Sequence, residues 1–332
     1  MRKNIIPLMN PVRGACGYCA STDVDLVQPS ELTDYFRLLV SIYEPDPDGK
    51  PLVDWMKNDW LLFPNLDSAH AKELLADILE DGEIVRNLFS PSATYHSEVL
   101  IGWESLRDEL MYKNRWFLDE AIDTDRLKEL LSHLIADELP TKWYRARIRA
   151  GDVDYSIAEM GAPPKRLATP GRANPPGIPY LYVASLPEAA IAEVRPHTGE
   201  TACVADFTIP PPLKAIDLRD PRKLVSPFLL ADASAVGQLR ADIPFLERLG
   251  SELTRPVLPQ GAAIDYLPSQ YLCEFIKKCG FDGVVYRSSV SAGINLALFD
   301  LAKAMPGAVT RYDVARVSVE VAPCITEVSA SA

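Results

Sequence analysis

Four short segments concentrate the side chains able to do chemistry. They are Trp143-Tyr144-Arg145-Ala146-Arg147, Gly171-Arg172-Ala173-Asn174 leading to Leu181-Tyr182-Val183-Ala184-Ser185, Ala190-Ile191-Ala192-Glu193-Val194-Arg195, and a last run through Arg287-Ser288-Ser289 to Asn295. Arginine presents a planar fork of donors that matches pairs of phosphate oxygens, which lysine does not. A single fixed carboxylate such as Glu193 suits a positive centre that develops while a bond breaks, rather than the acid–base work of paired carboxylates. The face of Tyr182 can stack on a cation, and Ser288 can donate to a phosphate or a sugar hydroxyl. Taken singly, each has a plainer reading. Glu193 is a solvated carboxylate, Arg145 and Arg172 are salt-bridge or capping residues, Tyr182 is a core tyrosine and Ser288 a turn serine. Arg195 reads as structural. Only their occurrence together, in this order, favours function.

The elements that must hold these residues divide near Thr141. Before it, residues 30–43 place Leu32, Phe36, Leu39, Val40 and Tyr43 on one helical face, with Ser30 as N-cap and Pro45 as stop. Residues 67–80 repeat the pattern and end at Asp81-Gly82. Residues 123–139 repeat it again through Leu127, Leu130, Leu131, Leu134 and Ile135. Trp55, Trp60, Trp103 and Trp116 are expected to pack among these helices. After Thr141, strands are expected at 181–185, 202–209, 281–286 and 295–299. Helices are expected at 187–194 and at 266–279, the latter closed by Gly280, and 221–249 is helical or irregular. This is a mixed α/β arrangement without a regular βαβ series, so no doubly wound sheet is expected. Neither a Gly-x-Gly-x-x-Gly turn nor a P-loop is present. The expected organisation is a helical unit over 1–140 and an α+β unit over 141–332.

The combination Gly-Arg-x-Asn-Pro, Leu-Tyr-x-Ala-Ser and Ala-x-x-Glu-Val resembles the RES domain, named for its Arg, Glu and Ser, over roughly residues 141–320. Residues 1–140 resemble, less closely, the helical region fused ahead of such domains, where a Cys-x-Tyr-Cys pair precedes helices. The resemblance implies an ADP-ribosyltransferase-like mixed sheet. It also implies an enzyme of toxin or defence type that consumes NAD, cleaving the nicotinamide–ribose bond by hydrolysis or, with inorganic phosphate as co-substrate, by phosphorolysis. Transfer of ADP-ribose to a protein, or an inactive NAD-binding module, are the alternatives. It assigns Arg145, Tyr182, Glu193 and Ser288 as catalytic, with Arg147 and Ser289 as alternatives for the Arg and the Ser. Arg145, Arg147, Arg172, Asn174, Tyr182, Ser288 and Asn295 would bind NAD. The implied partners are NAD and an antitoxin or regulatory protein, with self-association a further role for the helical unit. The chemistry agrees: nicotinamide leaves NAD as a neutral molecule, so its departure needs no general acid and no metal.

Composition narrows the function classes. The chain has 332 residues and a net charge of −12. Residues 1–140 hold 26 Asp and Glu against 13 Lys and Arg, while the remainder is close to neutral. An acidic surface repels nucleic acid, so none is expected as a partner. No apolar run reaches the roughly 18–20 residues of a bilayer span, and the start does not read as a signal peptide, which makes the cytoplasm the expected compartment. Cys16 and Cys19 lack the second pair that a zinc ribbon needs. Cys203, Cys273, Cys279 and Cys324 read as packing residues.

Overall fold

The computed structural model describes residues 5–258, 260–318 and 321. Cys324, read above as a packing residue, and Met1–Asn4 lie outside the described residues. The first 140 residues carry two short strands, β1 (Val12–Gly14) and β2 (Val24–Leu26), which pair with each other. Helix α1 (Thr33–Val40) follows, then β3 (Tyr43–Lys50), α2 (Leu52–Trp60), α3 (Ser68–Leu79), β4 (Phe89–Pro91), α4 (Glu98–Tyr112) and α5 (Thr124–Ser132). Next come β5 (Lys142–Ile148), β6 (Leu181–Ala184), α6 (Pro187–Glu193), β7 (Thr201–Thr208) and β8 (Ala215–Asp217). The chain continues through α7 (Pro221–Leu224), α8 (Ala233–Thr254), α9 (Ala262–Asp265), α10 (Leu267–Lys278), β9 (Gly283–Arg287), β10 (Ile294–Leu298) and β11 (Met305–Asp313).

Seven strands form one mixed sheet in the order β11-β7-β5-β6-β10-β9-β8. Its one parallel pair is β8 with β9; the other pairs are antiparallel. The fold is therefore mixed α/β, as the sequence pattern leads one to expect. Alternation along each strand sends side chains to two faces. Trp143, Leu181, Val183, Ala205, Phe207, Leu296 and Leu298 pack on one face around Met160. On the other face, Val284, Tyr286, Ala297 and Phe299 meet a helical layer. That layer draws on both ends of the chain. Phe36, Leu75, Trp103 and Leu130 share one core with Leu246 of α8 and Leu272 of α10. Small residues let α6 lie close to the sheet: Ala189 and Ala190 pack on Ala146, Ala184 and Val204.

Several expectations change in detail. The helix expected over 30–43 spans only Thr33–Val40, because Ser30 sits in a 3-10 turn, Pro29–Leu32, and Tyr43 already begins β3. Asp67 caps α3 by accepting from the His70 N–H, and the helix ends on Glu80 in the left-handed conformation rather than at Gly82. The helix expected to 139 stops at Ser132, since the chain beyond it joins the sheet edge. Ile135 bridges Ile216, Leu134 O accepts from Asp217 N at 2.7 Å, and Ala136 N donates to Ala215 O at 2.9 Å. Trp55, Trp60 and Trp103 pack as expected, but Trp116 is 86% exposed. It lies past the end of α4, where no helical face turns it inward. Gly280, at a φ of +87°, closes α10 as read from the sequence. Cys203 and Cys273 are buried, and Cys279 is half-buried.

Candidate active site

Strand β5 meets β6 at one residue pair only, Tyr144 with Ala184, whereas its pairing with β7 runs from Lys142 to Ile148. The sheet splits there, and a cleft of about 460 Å3 opens beside it. Residues of both parities line the cleft, Tyr144, Arg145 and Ala146 from β5 and Tyr182, Val183 and Ala184 from β6, as entry through a split sheet requires. Its volume falls in the range of small-molecule sites, roughly 300–1,000 Å3.

Glu193 ends α6 at the mouth of the cleft. Its Oε1 accepts from Ser288 Oγ at 2.6 Å and from Asn295 Nδ2 at 2.6 Å. The three residues come from three elements. Pro187 opens α6, whose alanine face seats it on the sheet. Ser288 follows β9, and Asn295 lies on β10 opposite Ala184 and Tyr286. The turn between β9 and β10 is closed by Ser288 N donating to Gly293 O, and Ile294 N donates to Ser185 Oγ. Gly293 has no side chain because Ala189 occupies the space: a Cβ there would lie 2.5 Å from the Ala189 Cβ. Both donors to Glu193 engage Oε1. Among the described residues Oε2 has no protein donor, so it is available to a ligand.

Arg145 lies deeper. Its Nε and Nη1 are buried and have no hydrogen-bond partner among the described residues. Burial, and then the neighbouring charge of Arg147, pull its pKa below the ordinary arginine value. A guanidinium nevertheless stays charged at neutral pH. A buried cation without partners is costly, so this arrangement points to an anionic ligand that completes it.

Tyr182 also lines the cleft, and its hydroxyl is fully engaged. It accepts from the N–H groups of Ala173 and Asn174 at 2.9 and 3.1 Å and donates to Asn174 Oδ1 at 2.7 Å. Burial pushes its pKa well above the usual tyrosine value, so the phenol remains a donor. The hydroxyl thus clamps the 171–174 loop, and the ring is what the cleft can use. Gly171 is required there: a Cβ would meet Asn174 Oδ1 at 2.6 Å and the Tyr182 hydroxyl at 2.8 Å. The same loop is tied to α10, since Gln270 Nε2 donates to Gly171 O and Ser269 Oγ to Arg172 O. Arg172 lines the cleft, donates from Nη1 to Arg255 O at 2.8 Å and lies over the Tyr266 ring at 5.3 Å.

The structure brings together Arg145, Arg172, Tyr182, Glu193, Ser288 and Asn295. It does not bring Arg147 into the cleft lining. That side chain donates to Glu159 O at 2.7 Å and stacks on Tyr155 at 4.1 Å. Asn174 stands behind the lining, buried, with its amide given to Thr169 O and Pro175 O. Of the two adjacent serines, Ser288 bonds Glu193 and Ser289 lines the cleft. Sequence reasoning did not single out Tyr286 or Tyr266 and read Arg195 as structural, and all three line it. Arg195 had a signal: an arginine just after a helix, where glycine is usual. Tyr286 had none beyond its place in an apolar strand. Burial pushes the Tyr286 phenol well above its ordinary pKa, with Tyr182 and Glu193 nearby adding to the shift. Among the described residues there is no group of three or more His, Cys, Asp or Glu placed to hold a metal ion, and no helix long and apolar enough to cross a membrane.

The RES domain family model matches residues 142–319, more than half of the chain, and the matched span contains every side chain that lines the cleft. The chain belongs to the RES domain family. Among solved structures, it is similar to a chain of the M. tuberculosis MbcT–MbcA toxin–antitoxin complex. That likeness is at 14% identity and a TM-score of 0.33, over 57% of this chain and 93% of that one. No curated protein sequence matches the chain.

Proposed function

We propose that this RES domain binds NAD in the cleft and breaks the bond between nicotinamide and ribose, as an enzyme of toxin or defence type. The observation that carries the reading is that one cleft holds two groups with hydrogen-bonding capacity left for a ligand. One is the buried, unpartnered guanidinium of Arg145, and the other is Glu193, oriented by Ser288 and Asn295 with Oε2 left open. Arg145 holds the diphosphate, and the Tyr182 ring stacks on the cationic nicotinamide. As the C1″–N bond breaks, its electron pair leaves with nicotinamide, which becomes neutral, and positive charge develops on the ribose. The negative charge of Glu193 stabilises that centre in the transition state. An acceptor then bonds to C1″. Water loses its proton to solvent, and inorganic phosphate gives the ribosyl phosphate instead. No general acid and no metal enter this sequence.

Incubating the purified protein with NAD, with and without phosphate and with a chelator, tests the reading by NMR of the products. Nicotinamide should appear whenever phosphate is present, with or without the chelator, and its release without phosphate shows an acceptor other than phosphate. ADP-ribose marks water as the acceptor, ADP-ribose 1″-phosphate marks phosphate, and adenylate label on protein marks a protein side chain. Intact NAD in the presence of folded protein would sink the proposal.

A further inference from the structure

The last residue of the Glu193-Val194-Arg195 run has no part in the step just described, yet it lines the same cleft. Arg195 follows α6 after the capping Val194, its N–H donates to Ala192 O at 3.0 Å, and its φ is +49°. That is the left-handed conformation in which a helix commonly ends, and glycine adopts it without steric cost. Gly280 takes it after α10, and Leu61 and Glu80 take it at the ends of α2 and α3. Its place at the wall of the cleft, which Leu61 and Glu80 do not share, is what sets Arg195 apart.

Its charge is also uncommitted. Some surface arginines have carboxylate partners, as Arg86 has Glu83, Arg222 has Glu247 and Arg287 has Asp220. Among the described residues Arg195 has none. Three guanidiniums, Arg145, Arg172 and Arg195, line a cleft whose one carboxylate is Glu193, in a protein of net charge −12. Glu193 takes its hydrogen bonds from neutral donors, so none of the three cations is consumed by it. Arg172 is already committed to Arg255 O and the Tyr266 ring. Two uncommitted cations therefore remain, one deep and one at the rim, to meet a ligand bearing two negative charges.

We propose that Arg195 is a second, outer grip on a diphosphate, acting with Arg145 to recognise the bridge of a dinucleotide or nucleoside diphosphate. The inference rests on the NAD reading for its substrate class, but it can be tested without turnover. ADP is the probe, titrated by calorimetry into the wild type, Arg195→Gly and Arg195→Lys, with adenosine and inorganic phosphate as further arms. Arg195→Gly relieves the left-handed strain, so its melting temperature should equal or exceed that of the wild type. Its dissociation constant for ADP should nevertheless rise about tenfold, as expected for one charge-assisted contact. Arg195→Lys should keep part of the affinity, and adenosine should bind all three proteins alike. With NAD, the loss in Arg195→Gly should appear in KM.

Unchanged ADP affinity in a stable Arg195→Gly protein overturns the inference, as does a wild type that does not bind ADP. A loss confined to inorganic phosphate assigns Arg195 to a free anion and overturns the diphosphate grip. Arg195-dependent ADP binding by a wild type that leaves NAD intact sustains the inference while the NAD-cleavage reading falls. Cleavage of NAD with the same KM in wild type and Arg195→Gly does the reverse.

Discussion

Glu193→Gln should lower NAD turnover by at least about 100-fold while leaving NAD affinity nearly unchanged. Glutamine preserves the shape of the side chain, and its carbonyl oxygen can still accept from Ser288 Oγ and Asn295 Nδ2, the two donors that orient Glu193. What it removes is the negative charge. In the bound substrate the ribose carries little positive charge for Glu193 to meet, whereas in the transition state it does, so the lost interaction belongs mainly to the transition state. Arg145→Ala should fail differently. Its buried Nε and Nη1 lack protein partners, and on the proposed reading its contribution is to the charged diphosphate already present in the ground state. Losing a charge-assisted pair of roughly 1.5–3 kcal/mol should weaken NAD binding about 10–100-fold. Calorimetric affinity and rate of nicotinamide release, measured on both variants, separate the two roles. Near wild-type turnover in Glu193→Gln would remove Glu193 from the chemistry and, with it, the assignment of the site.

The parts of this site that were legible in the sequence are those fixed by local pattern. Leu181–Ala184 and Pro187–Glu193 fall within a residue or two of their expected spans, because a short apolar strand and a proline-led helix are local signals. Placing Glu193, Ser288 and Asn295 together is not local, since they come from three elements, and only their family-like order indicated it. The departure of Arg147 was not legible either. Arg145 and Arg147 share a strand and a parity, and what separates them is the split between β5 and β6 together with Tyr155 and Glu159, which hold Arg147. Helix α4 was not anticipated, although Val99, Trp103, Leu106 and Leu110 lie on one helical face. Its buried Glu109 breaks that pattern. It accepts from the N–H groups of Asp119 and Glu120 at 2.8 and 2.7 Å, a tertiary role that sequence spacing does not show. Strand β11 is mostly exposed and holds its place by pairing with β7, so it shows no apolar alternation.

Arg126→Met should destabilise the fold by about 3–5 kcal/mol, the usual result of stripping the partner from a buried charge. Arg126 lies on α5 and Asp242 on α8. Nε and Nη2 of Arg126 donate to Asp242 Oδ2 at 3.0 and 2.7 Å, and the Asp242 side chain is 0% exposed. Methionine keeps much of the apolar stem but leaves the carboxylate with Gln238 Nε2 alone, at 3.4 Å from each oxygen. Adding Asp242→Leu to Arg126→Met should recover most of the loss, because the orphaned charge is then gone. Denaturant unfolding of the wild type and both variants reads this directly, and a single variant as stable as the wild type would contradict it. The same chemistry recurs where Arg107 meets Glu252 and where Arg240 meets Asp59, so ion pairs tie the acidic first 140 residues to α8 at several points. We propose that these residues contribute no group to the chemistry, because every side chain lining the cleft lies beyond residue 141. On that proposal, Arg126→Met should weaken the fold while NAD affinity, per folded molecule, stays at the wild-type value.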